Sequence, residues 1–295
     1  MFGNLALLLT ALIWGTAFTA QSVGMDYIGP CAFTAARSFI GGIALLPVIA
    51  LMDGMRRRSG ESPAPEGGRT LVIGGVLCGV ALGVASLLQQ AGIAAGTSSG
   101  KAGFITALYI LFVPLLGLLM HKKPRPIIWL CVAMSIFGLY LLCVTDGLGS
   151  VRGSDLMVLA CAVVFAVHIQ IIDRFAPLVD GVRMSCIQFF VCGAIALVLT
   201  FIFEKPDFSA LLAAWGPVLY AGVMSSGVGY TLQIIGQKYT NPTVASMILS
   251  LESVFAVLGG IVILGQMPAA REIVGCCVMF AAIVIAQLPE KKRAA

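Results

Sequence analysis

Two ionisable side chains sit where a chain this apolar should not tolerate them. Glu252 lies in Ile248-Leu249-Ser250-Leu251-Glu252-Ser253-Val254-Phe255, and His168 lies in Val163-Val164-Phe165-Ala166-Val167-His168-Ile169. An ionisable group in mid-membrane costs roughly 2.5–3.5 kcal/mol on insertion scales, so each one asks for a reason. A carboxyl taken out of water can bind and release a proton in the working pH range, which makes Glu252 a candidate proton carrier. The other reading is a structural carboxylate hydrogen-bonded to a neighbouring helix. His168 titrates near neutrality when unperturbed, so it is a candidate relay or cargo contact. It serves equally as an interhelical hydrogen-bonding residue.

Around these two stand neutral polar groups at matching places in the chain: Gln89, Gln90 and Tyr109 earlier, Tyr230 and Gln233 later. Amides and phenols can grip a zwitterion or another polar cargo while aromatic faces hold its apolar part. Trp14 is a candidate wall or gate of such a cavity, or a packing residue. Other chemistries lack their residues. The nine cysteines show no metal-ligand spacing with the two histidines and read as small hydrophobes. There is no Walker-type loop and no paired-acid or His/Asp cluster for catalysis. The expectation is therefore no catalytic residue, no metal and no cofactor.

The elements that must position these residues follow from composition. Of 295 residues, 59% are hydrophobic and 11% charged, against about 25% charged in a soluble domain. Mean hydropathy is +1.02. The bilayer must be part of the solvent. Apolar runs near the required ~20 residues occur at Leu5–Val23, Cys31–Met52, Leu71–Ile93, Lys101–Met120 and Ile127–Val144, then at Asp155–Ile172, Met184–Phe203, Leu211–Ile235, Val244–Leu264 and Glu272–Leu288. Breakers separate them, among them Gly29-Pro30, Lys205-Pro206-Asp207 and Asn241-Pro242, and Asp53–Arg69 is the one longer polar loop. The expected fold is all-α and integral to the membrane, with ten spans. The first run, without a basic flank before it, reads as a helix that stays rather than a cleaved leader.

Loop charge orients the bundle. One set of alternate connections holds Arg56, Arg57, Arg58, Arg69, Lys122, Lys123, Arg125, Arg174, Arg183, Lys238, Lys291, Lys292 and Arg293. The other set holds Lys101, Arg152, Lys205 and Arg271. The heavy side should be cytoplasmic, which puts both ends of the chain in the cytoplasm. The net charge of +5 is thus a topology signal, and no basic face with interleaved aromatics suggests nucleic acid.

The chain also repeats itself. One register pairs Gln90 with Gln233, Thr97 with Thr240, Ala102 with Ala245, Ile105 with Ile248, Leu108 with Leu251, Tyr109 with Glu252 and Phe112 with Phe255. Earlier in each half, Ala11 and Trp14 fall on Ala162 and Phe165, and Arg37 falls on Gln188. Five spans is an odd number, so two such halves insert with opposite orientation, a pattern common in transporters. The expected units are 4–144, 153–288 and a basic cytoplasmic tail at 289–295. Arg37 is expected to snorkel outward, with pairing to an acid such as Glu252 as the other course.

These residues resemble a known family. Thr10-Ala11-Leu12-Ile13-Trp14-Gly15 is similar to the first helix of EamA-type transporters of the drug/metabolite superfamily. Lys101-Ala102-Gly103-Phe104-Ile105-Thr106-Ala107-Leu108-Tyr109 through Val113-Pro114-Leu115 resembles the fourth helix of their first repeat, and Ser250-Leu251-Glu252-Ser253-Val254-Phe255-Ala256 a stretch of the second. The resemblance implies a ten-helix carrier of two inverted EamA repeats around a central cavity, in the plasma membrane. Two positions depart from it. Ser253 replaces a usual Pro, so a straighter ninth helix is expected, and Gln266 stands where an acid often closes that helix.

The expected function is a secondary transporter exporting amino acids or similar small polar metabolites by alternating access, with Glu252 and His168 as the candidate proton carriers. An uptake permease or an integral membrane enzyme are the alternatives. The expected partners are the small-molecule substrate, the lipid bilayer and protons, in a monomer or homodimer. Reporter fusions at the two termini test the topology: both should report the cytoplasmic side, and opposite sides would rule out an even number of spans.

Overall fold

A computed structural model describes residues 2–59, 68–97, 99–121, 124–143, 152–255 and 269–288. The first five helices are α1 (Phe2–Gly24), α2 (Pro30–Arg58), α3 (Gly68–Ala94), α4 (Ser99–Ala107) and α5 (Tyr109–Leu119). There follow α6 (Pro126–Cys143), α7 (Gly153–Phe175), α8 (Gly181–Phe203), α9 (Phe208–Ala213) and α10 (Trp215–Tyr220). A π-helical segment, Ala221–Tyr230, leads into α11 (Thr231–Gln237), α12 (Pro242–Leu249) and α13 (Ala270–Gln287).

Among the described residues, seven stretches are long and apolar enough to cross a membrane: α1, α2, α3, Lys101–Leu119, α7, α8 and Trp215–Gln237. Shorter apolar helices, Pro126–Leu141, Pro242–Phe255 and Ile273–Ala286, fall where the sequence places the other three spans. Val144, 256–264 and the tail 289–295 lie outside the described residues, as does Gln266. The polar loop expected from Asp53 is partly helix, because α2 runs on to Arg58.

Helix starts follow the breakers. Pro30 and Pro242 occupy first-turn positions, where the missing N–H costs nothing. Asn241 accepts from the Thr243 N–H at 3.0 Å. Asp180 accepts from the N–H groups of Val182 and Arg183 at 3.0 and 3.2 Å. The Ser209 hydroxyl and the N–H groups of Ala210 and Ser209 hold the Asp207 carboxyl below the usual carboxylate range.

Helix ends then lock two antiparallel pairs. At the start of α6, the Arg125 guanidinium donates to Ala286 O at 2.6 Å and Leu288 O at 3.0 Å, at the end of α13. At the start of α13, Arg271 does the reciprocal, donating to Leu141 O at 3.0 Å and Tyr140 O at 3.4 Å. Helix C-termini expose unpaired carbonyls, and a cation there satisfies them. The pair α2 and α8 is fastened likewise. Glu204, beyond α8, accepts from the Cys31 and Ala32 N–H groups at 2.7 and 2.9 Å. At the other end, Arg56 pairs with Asp180 at 3.0 Å and Arg183 pairs with Asp53.

Between the ends, packing is close. An added Cβ at Gly138 on α6 would stand 2.7 Å from Met279 Cγ and 2.8 Å from Gly275 O on α13. The spans left to form the middle are α1, α3, Lys101–Leu119, α7, Trp215–Gln237 and α12.

Two of these are interrupted at corresponding places. Between α4 and α5 the hydrogen bonds tighten at Leu108: its N–H donates to Ile105 O at 3.2 Å, and the Leu111 N–H donates to Leu108 O at 2.9 Å. After α12 the same happens at Leu251, whose N–H donates to Ile248 O at 3.1 Å, while the Ser253 N–H donates to Ser250 O at 3.3 Å. The register of the sequence pairs Leu108 with Leu251. The straighter ninth helix expected from Ser253 falls in part on 256–264, outside the described residues. The four-residue spacing is already lost at Ser250–Ser253 without proline, and the Ser250 hydroxyl turns back onto Met247 O at 2.8 Å.

This geometry sets the outcome of four substitutions, each read as melting of the purified protein in detergent. Gly138→Leu overpacks the α6–α13 contact and should cost about 1–3 kcal/mol. Gly54→Ala, with nothing within 4 Å of the new Cβ, should stabilise by about 0.4–1 kcal/mol. Ser253→Pro loses one long bond just past a break and should stay within about 1 kcal/mol of the parent. Ile248→Pro, inside α12, should cost about 3 kcal/mol or more.

Candidate functional site

The two breaks put their next residues face to face. Tyr109 opens α5 and Glu252 follows the turn after α12, and the Tyr109 hydroxyl donates to Glu252 Oε1 at 3.4 Å. Both are buried, at 3% and 2% exposure. They form one side of a small hollow of about 30 Å³. Gln89 on α3 lines it as well, its amide donating to the Thr106 hydroxyl at 3.0 Å.

The π-helical segment makes the opposite side. Tyr230 ends it, and its ring lies 4.5 Å from that of Trp14 on α1. A π-helix spaces its hydrogen bonds five residues apart, and such segments collect at functional sites. Its carbonyls accept from α1: Trp14 Nε1 donates to Ser225 O at 3.3 Å, and the Thr10 hydroxyl lies 3.1 Å from Gly229 O. Tyr220, just before the segment, shares a short hydrogen bond with Thr16. One turn beyond Tyr230, Gln233 lines the hollow. Its amide nitrogen donates to Gln237 Oε1 at 3.0 Å, and Gln237 donates in turn to Ile169 O at 3.1 Å. The Gln233 Oε1 has no protein partner.

Six of the eight residues singled out from sequence thus border one hollow: Trp14, Gln89, Tyr109, Tyr230, Gln233 and Glu252. Gln90 and His168 do not border it. Gln90 is fully buried against Met25, with its amide nitrogen 3.4 Å from Sδ. His168 is fully buried behind Tyr230, ring centroids 6.0 Å apart, and its Nε2 lies 3.1 Å from Gln188 Oε1.

Other lining residues escaped sequence reasoning. Phe18 and Gln21 lie one and two turns beyond Trp14, and Thr106 lies one turn before Tyr109, so the same-face rule for helices finds all three. Ser225 carried no signal, because its exposed carbonyl comes from the π-helical winding. Arg37 is the main correction. It does not snorkel outward and does not pair with Glu252. It is 3% exposed and lines the hollow, with one Nη1 3.5 Å from Gln21 Oε1 and the guanidinium 6.0 Å above the Phe33 ring.

Asp155, at 5% exposure, meets Lys101 Nζ at 2.6 Å and the Thr97 hydroxyl at 3.0 Å, tying the start of α7 to α4. Among the described residues, no group of three or more His, Cys, Asp or Glu side chains is arranged to hold a metal.

Comparison with known proteins agrees with this architecture. An uncharacterized transporter of Archaeoglobus fulgidus is 26% identical, covering 98% of this chain and 86% of its own. The uncharacterized transporter YwfM of Bacillus subtilis is 26% identical, over 99% and 96%. A probable terminal-alkyne amino-acid exporter of Streptantibioticus cattleyicolor is 25% identical, over 95% and 91%. A solved crystal structure shares the fold at 18% identity, with a TM-score of 0.75 over 97% of this chain and 96% of that one. The model of the EamA-like transporter family matches residues 1–144 and again 152–287. With both matches together spanning nearly every residue, the chain belongs to the EamA-like transporter family.

Proposed function

We propose that this protein is a secondary carrier that exports amino acids or similar small polar metabolites, by alternating access, across the plasma membrane. The observation that carries the reading is the hollow behind the paired helix breaks. Interrupted helices at corresponding places in two halves are the feature that builds a midplane site in transporters with repeated architecture. Here the residues after the two breaks, Tyr109 and Glu252, touch each other inside it.

Ten spans in two inverted repeats are the matching frame. The two family matches supply the halves. The antiparallel course of α2 with α8, and of α6 with α13, fits equivalent helices inserted in opposite senses. Both ends of the chain then lie in the cytoplasm. Rocking one half against the other opens the hollow first to one side and then to the other. The exporter among the relatives supports amino acids as the class of cargo.

Glu252 is the coupling group in this reading, because it alone among the described acids borders the hollow. His168 positions Tyr230 from behind. In proteoliposomes loaded with cargo, wild-type efflux should respond to an imposed pH gradient. Glu252→Gln should lose at least tenfold of the gradient-driven rate while keeping downhill exchange. Unchanged pH dependence in that variant would remove the coupling role. Efflux of preloaded amino acids from cells, compared with a strain lacking the gene, tests direction: equal efflux from both would defeat the export reading.

A further inference from the structure

The hollow is bordered by one permanent cation, Arg37, whose charge no carboxylate among the described residues answers. Arg37 sits in α2, 3% exposed. Among the described residues no carboxylate lies within ion-pair distance of it. A guanidinium offers five N–H donors in a planar fork. Among the described residues Arg37 makes one hydrogen bond, the long 3.5 Å one to Gln21 Oε1, and its guanidinium lies over the Phe33 ring. Two acids with nearly buried side chains elsewhere are met by cations: Asp155 by Lys101, Asp180 by Arg56.

The repeat register sharpens the contrast. Its counterpart in the second half is Gln188, a neutral amide. Gln188 is satisfied by His168 at 3.1 Å and Ser185 at 3.4 Å, away from the hollow. The fold thus packs this place with an uncharged residue in one half. In the other half it keeps a cation on the wall of the hollow.

We propose that Arg37 is the anchor for a carboxylate on the cargo. This rests on the transport reading and narrows it to carboxylate-bearing metabolites. The guanidinium fork matches a carboxylate bidentately, which an amide or a lysine ammonium does not reproduce. For a zwitterionic amino acid, the free acceptor Oε1 of Gln233 and the Glu252 carboxylate are the groups left to take the ammonium end. The aromatic faces of Trp14 and Tyr230 flank the side chain.

The test is a matched set of four compounds added to the purified full-length protein, read as a shift in melting temperature. The set is L-phenylalanine, 3-phenylpropionate, L-phenylalaninamide and 2-phenylethylamine. The first two keep the carboxylate and should stabilise wild type; the last two lack it and should not. Arg37→Lys should weaken binding of the two acids at least tenfold, and Arg37→Gln should abolish it. If the amide and amine stabilise as well as the acids, or if none of the four does, the assignment falls. It falls too if Arg37→Lys binds the acids like wild type. The comparison within wild type needs no variant to fold. Cellular efflux reports separately on transport: efflux that persists while the carboxylate preference is missing sinks the anchor and leaves the carrier standing.

Discussion

Hydrocarbon offers no hydrogen bonds, so a chain that crosses it must close every backbone donor and acceptor on protein. This constraint explains where the molecule is regular and where it is not. Departures from α-helical spacing are found at Leu108, at Ser250–Ser253 and along Ala221–Tyr230. Each lies beside the interior hollow rather than among the outward faces of α2, α3 or α8. Carbonyls along the π-helical segment are met by Trp14 and Thr10. The open ends of α13, α6 and α2 are met by Arg125, Arg271 and Glu204 respectively.

Frame and lining therefore have different logics. The frame is near-symmetric: Arg125 and Arg271 perform the same act on opposite ends of α6 and α13, and the two breaks match in register. The lining is not. Trp14 faces Phe165 across the register, Tyr109 faces Glu252, and Arg37 faces Gln188. In the proposed carrier, a symmetric frame would supply the motion and an asymmetric lining the chemistry of the cargo. The same frame can accordingly serve relatives of very different substrates.

Much of the frame was legible in the sequence. Apolar runs gave the helices, Pro30, Asn241 and Asp207 gave their starts, and the Leu108–Leu251 register fell on the two interruptions. The lining was legible where polar residues stood alone in apolar runs, as with Glu252, Tyr109, Gln89 and Gln233. It failed where the answer depends on which way a side chain turns. Arg37 lies two turns from a helix end, and its spacing looks the same whether it reaches for water or for the interior. Gln90 and Gln89 are neighbours, and only packing decides that Gln89 borders the hollow. The extension of α2 to Arg58 depends on Arg183 and Asp180, 130 and 124 residues away from their partners. No local pattern announces such pairs. The π-helical winding was silent too, because Gly222, Gly227 and Gly229 mark a weak helix without saying how it is wound.

That winding has a mechanical meaning. The first half holds α3 in the equivalent place, α-helical from Gly68 to Ala94. Ten residues coiled with wider turns are shorter than the same ten in α form, so the later half carries stored length that the earlier half lacks. Uncoiling it would push Tyr230 and Gln233 along and around the helix axis while Trp14 stayed put. In the carrier proposed above, the two halves would then be unequal springs.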